Sequence, residues 1–430
     1  MNRVAPSSSG RQAATSQQRE AAGCFVIRNF KPYRLLLRFF GCLLIEDLTE
    51  DSYRKARVTW RTSYTPYSLL WFSSMVYAES EYIVAAAHDI MVGEFTHSVL
   101  AVFKVTIVTT VVANLVSAVL GTGRLLEFFR DCAQYENTAK FRFPDARESL
   151  IPRWLVGLMR TIGLAAVLTA YGVLLPVYYG PRGLRTRWTV FSKVVGVVSL
   201  AGSMFYEWVM YLTLIPASKV LAWYVRDQRH AFLEIEDAAA SSGTAAEEIS
   251  SSVMESSLTP PPRAVESIRV NLTRIRELKT RINDVWGPAL ALTAVTTLVA
   301  KCAALCQVSD LDGHWLSVLL MSLEATHRVT RFFELAIVSQ SMRDEADDIK
   351  ESAKLATTLG ADDEFCKQVL FLHDSIDPDE MCLSGAGFFR LGKPIIVSMM
   401  GALITYTVIL TQTGQQFTHY AIANVTSAAT

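Results

Sequence analysis

Three residues of an apolar stretch near the C-terminus share a spacing that suits membrane chemistry. Thr405, Val408 and Gln412 recur at intervals of three and four, so a helix would place them on one face. An unpaired amide is costly in lipid, which indicates that Gln412 faces a pore, a partner helix or interfacial water. Rings of hydroxyl and amide groups can solvate cations without a fixed charge. The residues alone leave these three environments open.

A second set of residues could line a pocket for a small molecule. Such a pocket needs aromatic walls and a few polar groups. Because Lys301 and Glu324 lie at similar depths in two apolar segments, we hypothesise that they pair. A tryptophan near the end of a span can instead be an interfacial anchor, and a lysine can instead snorkel to the membrane surface. The sequence leaves these roles open beside a contact with ligand. The candidate pocket residues are Lys104, Tyr171, Lys193, Lys301, Trp315 and Glu324.

No pattern in the sequence predicts catalysis or metal binding. His-Glu-x-x-His and Gly-x-Ser-x-Gly are absent, and Gly121-Thr122-Gly123 lacks the rest of a phosphate-binding loop. Cys302 and Cys306 share a helix face but are better explained as buried thiols than as half of a metal site. We therefore predict no catalytic residue, no metal and no cofactor.

Seven long apolar segments dominate the chain, and these elements would position the candidate residues. Hydrophobic residues make up 51% of the sequence and charged residues only 19%, against about 25% in soluble domains. A hydrocarbon core about 30 Å thick requires about 20 apolar helical residues. The predicted spans cover 66–87, 98–120, 154–179, 189–217, 285–308, 314–338 and 394–412. The fold class is therefore an all-α, polytopic membrane protein.

The distribution of Lys and Arg predicts the orientation of the chain. If the N-terminus is cytosolic, 32 of the 41 Lys and Arg residues fall in cytosolic segments and three fall outside. Seven spans then place the C-terminus outside the cell, where Asn424 begins a glycosylation sequon. Asn271 also begins a sequon but lies on the cytosolic side. Acidic and basic residues are equal in number, so net charge gives no indication of a nucleic-acid partner.

The cytosolic segments have distinct compositions. Regular apolar spacing from Val265 to Ile282, with charges between, predicts an amphipathic helix that runs straight into span 5. In span 6, Arg328, Arg331 and Glu334 are predicted to form a salt-bridged helix face. The predicted segments are a disordered tail at 1–27, an interfacial or packed helical segment at 28–65, spans 1–4 at 66–217, a helical extension at 218–284 with a flexible loop at 237–262, spans 5 and 6 at 285–338, an anchor segment at 339–393, span 7 at 394–412 and an extracellular tail at 413–430.

Span 7 and its approach resemble the arthropod gustatory receptors, a family of seven-helix chemoreceptors. Thr405 and Tyr406, followed after five residues by Gln412, are similar to the signature of that family's last helix, although Thr413 stands where the family usually has Phe. The approach segment is similar to the family's glycine, aromatic pair and leucine, here Gly387, Phe388, Phe389 and Leu391. A looser echo lies in the run from Lys31 to Leu37 with Gly41.

The resemblance implies a ligand-gated, non-selective cation channel in the plasma membrane. Four subunits, alike or related, would line a pore with span 7, and Thr405, Val408 and Gln412 would lie at the pore and gate. A small-molecule tastant would bind among the outer halves of spans 2–6. Membrane lipid is the other expected partner. Ligand identity and subunit composition are not predicted.

Other seven-span or membrane proteins fit less well. A G-protein-coupled receptor would have its N-terminus outside, which the charge bias opposes, and no Asp-Arg-Tyr or Asn-Pro-x-x-Tyr motif is found. A transporter would favour an internal repeat with broken helices, and none is evident. A membrane enzyme would need one of the missing catalytic motifs. These classes remain the alternatives to a chemoreceptor channel.

Overall fold

Long helices account for most of the chain that the structure describes. The computed structural model describes residues 24–49, 53–59, 62, 64–92, 95–142, 190–245, 261–308, 315–357 and 363–428. In chain order the helices are α1 (Phe25–Phe39), α2 (Tyr64–Val92), α3 (Phe95–Leu120), α4 (Thr122–Thr138), α5 (Val190–Ala245), α6 (Pro261–Val308), α7 (Trp315–Ala356), α8 (Asp363–Ser375), α9 (Pro378–Met381) and α10 (Lys393–Ala428). The all-α class is confirmed.

Two small antiparallel hairpins interrupt the helices. The first pairs β1 (Ile45–Glu46) with β2 (Arg57–Val58), and a single 3-10 turn at Tyr53–Lys55 lies between them. The second pairs β3 (Ser384–Gly385) with β4 (Phe389–Arg390) directly before α10. Both hairpins therefore lie at the approach to an apolar helix.

Helix α6 shows how the sequence pattern becomes structure. Val265, Ile268, Leu272 and Ile275 are all buried, and the charged residues between them point outward. The helix continues without a break to Val308, so the predicted amphipathic segment and span 5 form one element. Burial of one apolar face along the first half therefore directs the membrane half as well.

Several boundaries differ from the predicted ones. Helix α5 continues to Ala245, because the alanines of 237–245 are strong helix formers despite their polar neighbours. Helix α10 runs past the predicted end of span 7 to Ala428. Helix α1 begins at Phe25, inside the predicted disordered tail, because its first three residues are buried. The predicted span 3 at 154–179 lies outside the described residues.

The helices pack as a bundle with its main core around α5, α6 and α7. Helix α3 lies along α6, while α5 contacts both α6 and α7, and α1 and α2 pack on α5 from the other side. Large fully buried side chains include Trp286, Tyr206, Tyr224 and Phe332. By contrast, the principal contacts of α10 with other helices of the described chain are those with α6 and α7. It is the least covered long helix of the described chain.

Three helical stretches of the described chain have the length and apolar character needed to cross a membrane. They are Ala101–Leu120, Phe205–Ala238 and Pro262–Ala303, and a shorter apolar stretch covers Lys393–Ile409. These stretches lie in α3, α5, α6 and α10, which carry predicted spans 2, 4, 5 and 7. Helices α2 and α7 do not meet the same measure. The sequence places acidic or basic residues in the middle of both, such as Glu79 and Arg328.

Candidate functional site

The segment that resembles the family motif forms a tight hairpin before α10. Gly387 has a φ of 81°, which a side chain would strain, and its amide donates to the Ser384 hydroxyl at 2.9 Å. The ring of Phe389 covers Gly385, where an added Cβ would lie 2.4 Å from the ring. Phe388 is exposed. Gly387 and Phe389 therefore serve the turn and its packing.

This hairpin is fastened to the middle parts of α6 and α7. The amide of Leu383 donates to the Ser339 hydroxyl on α7 at 2.9 Å. The amide of Ser384 donates to Asn283 Oδ1 on α6 at 2.8 Å. Leu391 is fully buried, and its amide donates to the Leu383 carbonyl at 2.8 Å. Movement of either helix would consequently reach the hairpin.

Side chains of α7 hold the first turn of α10. The Lys393 amide donates to Gln340 Oε1 at 3.0 Å, which satisfies a helix-start donor that lacks an intrahelical partner. The Lys393 ammonium lies 3.3 Å from Asp344, and Gln340 Nε2 donates to Asp344 at 2.6 Å. Gly392 leaves room for this approach, since a Cβ there would lie 2.5 Å from Gln340 Oε1. The geometry makes α7 the base of α10.

Helix α10 has one covered face and one uncovered face. Met399 is buried and Leu403 and Thr407 are half-buried against the bundle. Thr405, Val408 and Gln412 lie on the opposite side and are exposed. Exposed Val397, Met400, Ile404 and Ile409 flank or extend that side. The three residues selected from the sequence thus share the face that this chain does not cover.

A cluster of polar and aromatic residues lies between α5 and α7, and we call it the α5–α7 polar cluster. It comprises Glu207, Trp208 and Tyr211 on α5 with His327 and Arg328 on α7. Glu207 forms an ion pair with Arg328, and both side chains are less than a tenth exposed. A buried pair is tolerated only when each charge keeps its partner. This ion pair therefore fixes α7 against α5.

The aromatic members complete the cluster. The rings of Trp208 and His327 lie 4.8 Å apart between centroids. His327 is 3% exposed, and neither ring nitrogen hydrogen-bonds within the part of the chain that the structure describes. The guanidinium of Arg328 lies 5.9 Å from the centre of the Phe103 ring on α3. Three helices consequently meet at this point.

Polar contacts extend from the cluster to α3 and α6. Asn114 Nδ2 donates to the carbonyls of Tyr206 and Glu207 at 3.1 and 3.0 Å. The hydroxyls of Thr110 and Thr296 lie 2.5 Å apart and join α3 to α6. A buried polar group keeps its cost low only by such pairing. These contacts set the register of the helices.

Further ion pairs continue down α5 and α7 towards the anchor segment. Their positions rise together along both helices, so α5 and α7 run parallel. Arg331 pairs with Glu334 as predicted, whereas Arg328 pairs with Glu207 on α5. The pairs are Lys219–Glu334 at 2.8 Å, Arg331–Glu334 at 3.1 Å, Arg226–Glu345 at 2.6 Å, Arg229–Glu345 at 3.1 Å and Arg229–Asp348 at 3.0 Å.

The predicted ligand pocket is described only in part. Lys104 is half-buried on α3, and Lys301 donates from its ammonium to the Thr326 hydroxyl on α7 at 2.9 Å. Tyr171 lies outside the described residues. The backbone of Lys193, Trp315, Glu324 and Asn424 is helical, but their side chains are not among those described. The Lys301–Glu324 pair therefore stays a prediction.

Reasoning from the sequence missed two acidic residues that make buried contacts between helices. Glu207 is the only acidic residue within predicted span 4, a signal that could have marked it as half of a buried pair. Glu136 lies in an ordinary amphipathic helix, and its position gave no signal. It is buried, and its carboxylate accepts bonds from the first amides of α1. Only the packing of α4 against α1 reveals this role.

Comparison with known proteins finds a family resemblance over part of the chain and a shared fold. A family model described as "Trehalose receptor" matches residues 247–420, which contain α6 through most of α10. No curated protein matches the chain in sequence. The fold is similar to that of the insect olfactory receptor OR5 from Machilis hrabei.

That olfactory receptor has been solved with and without eugenol. The eugenol complex has 13% identity and a TM-score of 0.60, and the other structure has 14% and 0.61. In both comparisons the match covers 89% of this chain and 97% of the olfactory receptor chain. At such low identity, the structural match establishes the fold alone. The family-model match over residues 247–420 supports the family. The chain thus resembles the insect-type chemoreceptors, in sequence over residues 247–420 and in fold over most of its length.

Proposed function

We propose that the chain is a gustatory-type chemoreceptor of the plasma membrane that works as a ligand-gated cation channel. Four subunits, alike or related, surround a pore lined by α10. A small tastant binds in the outer half of the bundle and opens the pore. The observation that carries this proposal is the uncovered face of α10, where Thr405, Val408 and Gln412 are all exposed.

A half-covered α10 needs a partner of a particular kind. Its uncovered face is mostly apolar but carries the Thr405 hydroxyl, which donates to the Gly401 carbonyl, and the Gln412 amide, which lipid would leave unpaired. Symmetry-related copies of this face would bury the apolar flanks and turn Thr405 and Gln412 towards a shared axis. Neutral oxygens there would replace part of the hydration shell of a cation. Val408 would narrow the same path.

The contacts at the base of α10 supply a route from ligand to pore. A ligand among the outer halves of the spans would bias the position of α7, which carries Gln340 and Asp344. Both residues hold Lys393 at the first turn of α10. A shift of α7 would therefore tilt or rotate α10. The hairpin between α9 and α10 keeps this joint short.

Helix directions support an alternating seven-span arrangement, and the distribution of Lys and Arg supports a cytosolic N-terminus. Helix α5 runs parallel to α7 and α6 lies between them in sequence, as alternating crossings require. Arg142 lies beside Glu234 near one end of α5, with Nη2 to Oε2 at 3.0 Å. The chain is next described at Val190, the opposite end of α5. An odd number of crossings between these points, such as the predicted span 3, would satisfy this arrangement.

The description of the family model makes trehalose the first ligand to test, and eugenol, which binds the solved olfactory receptor, the second. We expect sugar-evoked, cation-carried currents in cells that express the chain, with an inside N-terminal epitope. Gln412→Glu should raise selectivity for cations and shift the reversal potential. An outside N-terminus, or responses that need G proteins and carry no current, would contradict the channel.

Matched variants separate the pore from the lipid-facing surface. Thr405 and Thr109 are both exposed and bond to the carbonyl four residues earlier, at 3.0 and 2.8 Å. Val408 and Val295 are 50% and 51% exposed. Thr405→Val and Val408→Ala should change unitary conductance or reversal potential, whereas Thr109→Val and Val295→Ala should not. Equal effects in both pairs would remove α10 from the pore.

A further inference from the structure

Helix α1 presents two unlike faces. Phe25, Phe30 and Leu37 are buried in the bundle core, while Arg28, Lys31, Leu35, Leu36 and Phe39 are exposed. The helix carries four basic residues and no acidic residue. Its exposed face is basic near the N-terminal end and apolar near the C-terminal end. This polarity along one helix is the starting observation.

Both ends of α1 are fixed by side chains of other helices. At the start, the Glu136 carboxylate accepts from the amides of Phe25 and Val26 at 2.7 and 3.0 Å. At the end, the hydroxyls of Tyr64 and Tyr206 donate to the carbonyls of Arg38 and Phe40, each at 2.6 Å. Tyr67 donates to the carbonyl of Phe39. The exposed face therefore has a defined direction.

Its neighbours define the depth of α1. The start of α1 lies at Tyr224, whose hydroxyl also donates to Glu136, and its end lies at Tyr206. These two tyrosines are roughly 27 Å apart along α5, at 1.5 Å of rise per residue. Tyr206 falls inside predicted span 4 and Tyr224 lies beyond its inner end. In the proposed orientation, α1 thus enters the membrane from the cytosolic side.

The apolar end of this face continues into a lipid-facing surface. Leu35 and Phe39 are 69% and 60% exposed, and the Phe39 ring lies 6.2 Å from that of Trp71 on α2. Leu69 and Leu70 on α2 are exposed beside it. Lys31 lies about 12 Å along the helix from Phe39. That separation matches the step from acyl chains to headgroups.

The half-buried basic residues of α1 contact other parts of the chain. Arg34 donates to the carbonyl of Leu48, and the Arg38 guanidinium lies 5.3 Å from the centre of the Tyr64 ring. Arg28 and Lys31 are exposed, and the Arg28 guanidinium also lies 5.7 Å from the centre of the Phe25 ring. In the proposed orientation both lie near the headgroup level. Their charge complements the anionic lipids of an inner leaflet.

We propose that the exposed face of α1 binds an anionic phospholipid of the inner leaflet. Arg28 and Lys31 hold the headgroup phosphate, and Leu35, Leu36 and Phe39 contact the acyl chains. The occupant is lipid and not a second copy of the chain, because the face is continuous with exposed apolar residues of α2. The proposal uses the membrane orientation given under Proposed function but not its channel activity.

Lipid retention by the purified full-length chain tests this site. The protein is held in micelles with equal phosphatidylserine and phosphatidylcholine, and native mass spectrometry counts retained lipids. The wild type should retain phosphatidylserine preferentially. Arg28→Gln with Lys31→Gln should lower the ratio of the two lipids about tenfold, as expected for two basic groups at an anionic surface. Arg28→Lys with Lys31→Arg should preserve it.

A matched control carries the same change of charge. Arg274→Gln with Lys354→Gln removes two exposed basic residues of the cytosolic extensions and should leave the ratio unchanged. No preference in the wild type, or equal loss in both double variants, would overturn the site. A wild type that retains no lipid but forms dimers through α1 would assign the face to a second copy. The assay needs neither ligand nor current, so it stands apart from channel function.

Discussion

Helix α7 buries its charges against α5, whereas α10 keeps neutral polar residues on an uncovered face. On α7, Arg328 and Glu334 are each 5% exposed or less, and both have ionic partners on α5. On α10, Thr405 and Gln412 are exposed and carry no charge. In sequence, α8, α9 and the hairpin separate the two helices.

The difference follows from where each helix finds its partners. A charge can be buried when the same chain supplies the opposite charge at a fixed position. A face completed by other subunits or by water has no such partner within the chain, and neutral groups tolerate both situations. Stability should therefore depend strongly on the charges of α7 and weakly on the exposed face of α10.

Removal of Arg328 should have the largest effect. Arg328→Met leaves Glu207 buried without its ion-pair partner and should lower the free energy of unfolding by about 3–5 kcal/mol. Thermal unfolding of the purified protein measures this loss. The exchange Glu207→Arg with Arg328→Glu should recover part of it.

Arg331→Met is the matched control for the buried pair. Glu334 keeps Lys219 at 2.8 Å after this change, so the loss should be about 1 kcal/mol or less. Equal losses for Arg328→Met and Arg331→Met would show that the Glu207–Arg328 pair stabilises the fold no more than the Arg331–Glu334 pair, whose carboxylate has a second partner.

Glu136 tests a buried carboxylate held by hydrogen bonds. Glu136→Leu removes acceptors from two amides at the start of α1 and should cost about 1–2 kcal/mol, as other helix caps do. Unfolding followed by circular dichroism measures the change. A cost below that of an exposed substitution such as Glu277→Leu would contradict the capping role.

The same residue gives a pH dependence of known sign. Burial raises the pKa of Glu136 above its ordinary value of 4.5, although the Tyr224 hydroxyl and the α1 amides act in the opposite direction. The folded state then binds the proton more tightly than the unfolded chain. The contribution of this proton to the free energy of unfolding is complete below pH 4.5. It is lost as pH rises through the pKa that Glu136 has in the folded state. Glu136→Gln should remove this slope, which unfolding from pH 4 upward would show.

Substitutions at two glycines compare the backbone of the hairpin with that of α10. Gly387→Ala forces a side chain into a positive φ and should cost about 1 kcal/mol. Gly401 lies in α10 with open space at its Cβ position, so Gly401→Ala should be neutral or stabilising by up to about 1 kcal/mol. Thermal unfolding of both variants decides the order. The reverse order would mean that the hairpin is not strained.

The smallest effect on stability is expected on the exposed face of α10. Thr405→Val and Val408→Ala should change the free energy of unfolding of dissociated protomers by about 0.5 kcal/mol or less. Their effects on current should nevertheless be clear. A loss of several kcal/mol would mean that the chain itself covers this face, and the contrast with α7 would fail.

Much of the fold could be predicted from periodicity. The apolar run from Val265 to Ile282 gave the buried face of α6, and the glycines before span 7 indicated a turn. The end of α5 at Ala245 could not be judged from composition, because Ala favours a helix there while the neighbouring Ser, Gly and Thr favour a loop.

The site was predictable only in its local part. A spacing of three and four placed Thr405, Val408 and Gln412 on one face, whatever surrounded the helix. The partner of Arg328 was not predictable, because Glu207 lies on a distant helix and depth alone does not fix which charges meet. The depth argument likewise cannot decide whether Lys301 meets Glu324.

The sequence by itself determined which segments are apolar enough for a membrane, which residues share a face of a helix and where the turn before α10 falls. These properties depend on neighbours within a few residues of one another. Tertiary structure decided that Glu207 meets Arg328, that Glu136 caps α1 and that α10 stays half covered. Those outcomes depend on how helices distant in sequence pack together, and a periodic pattern records the face but not the partner.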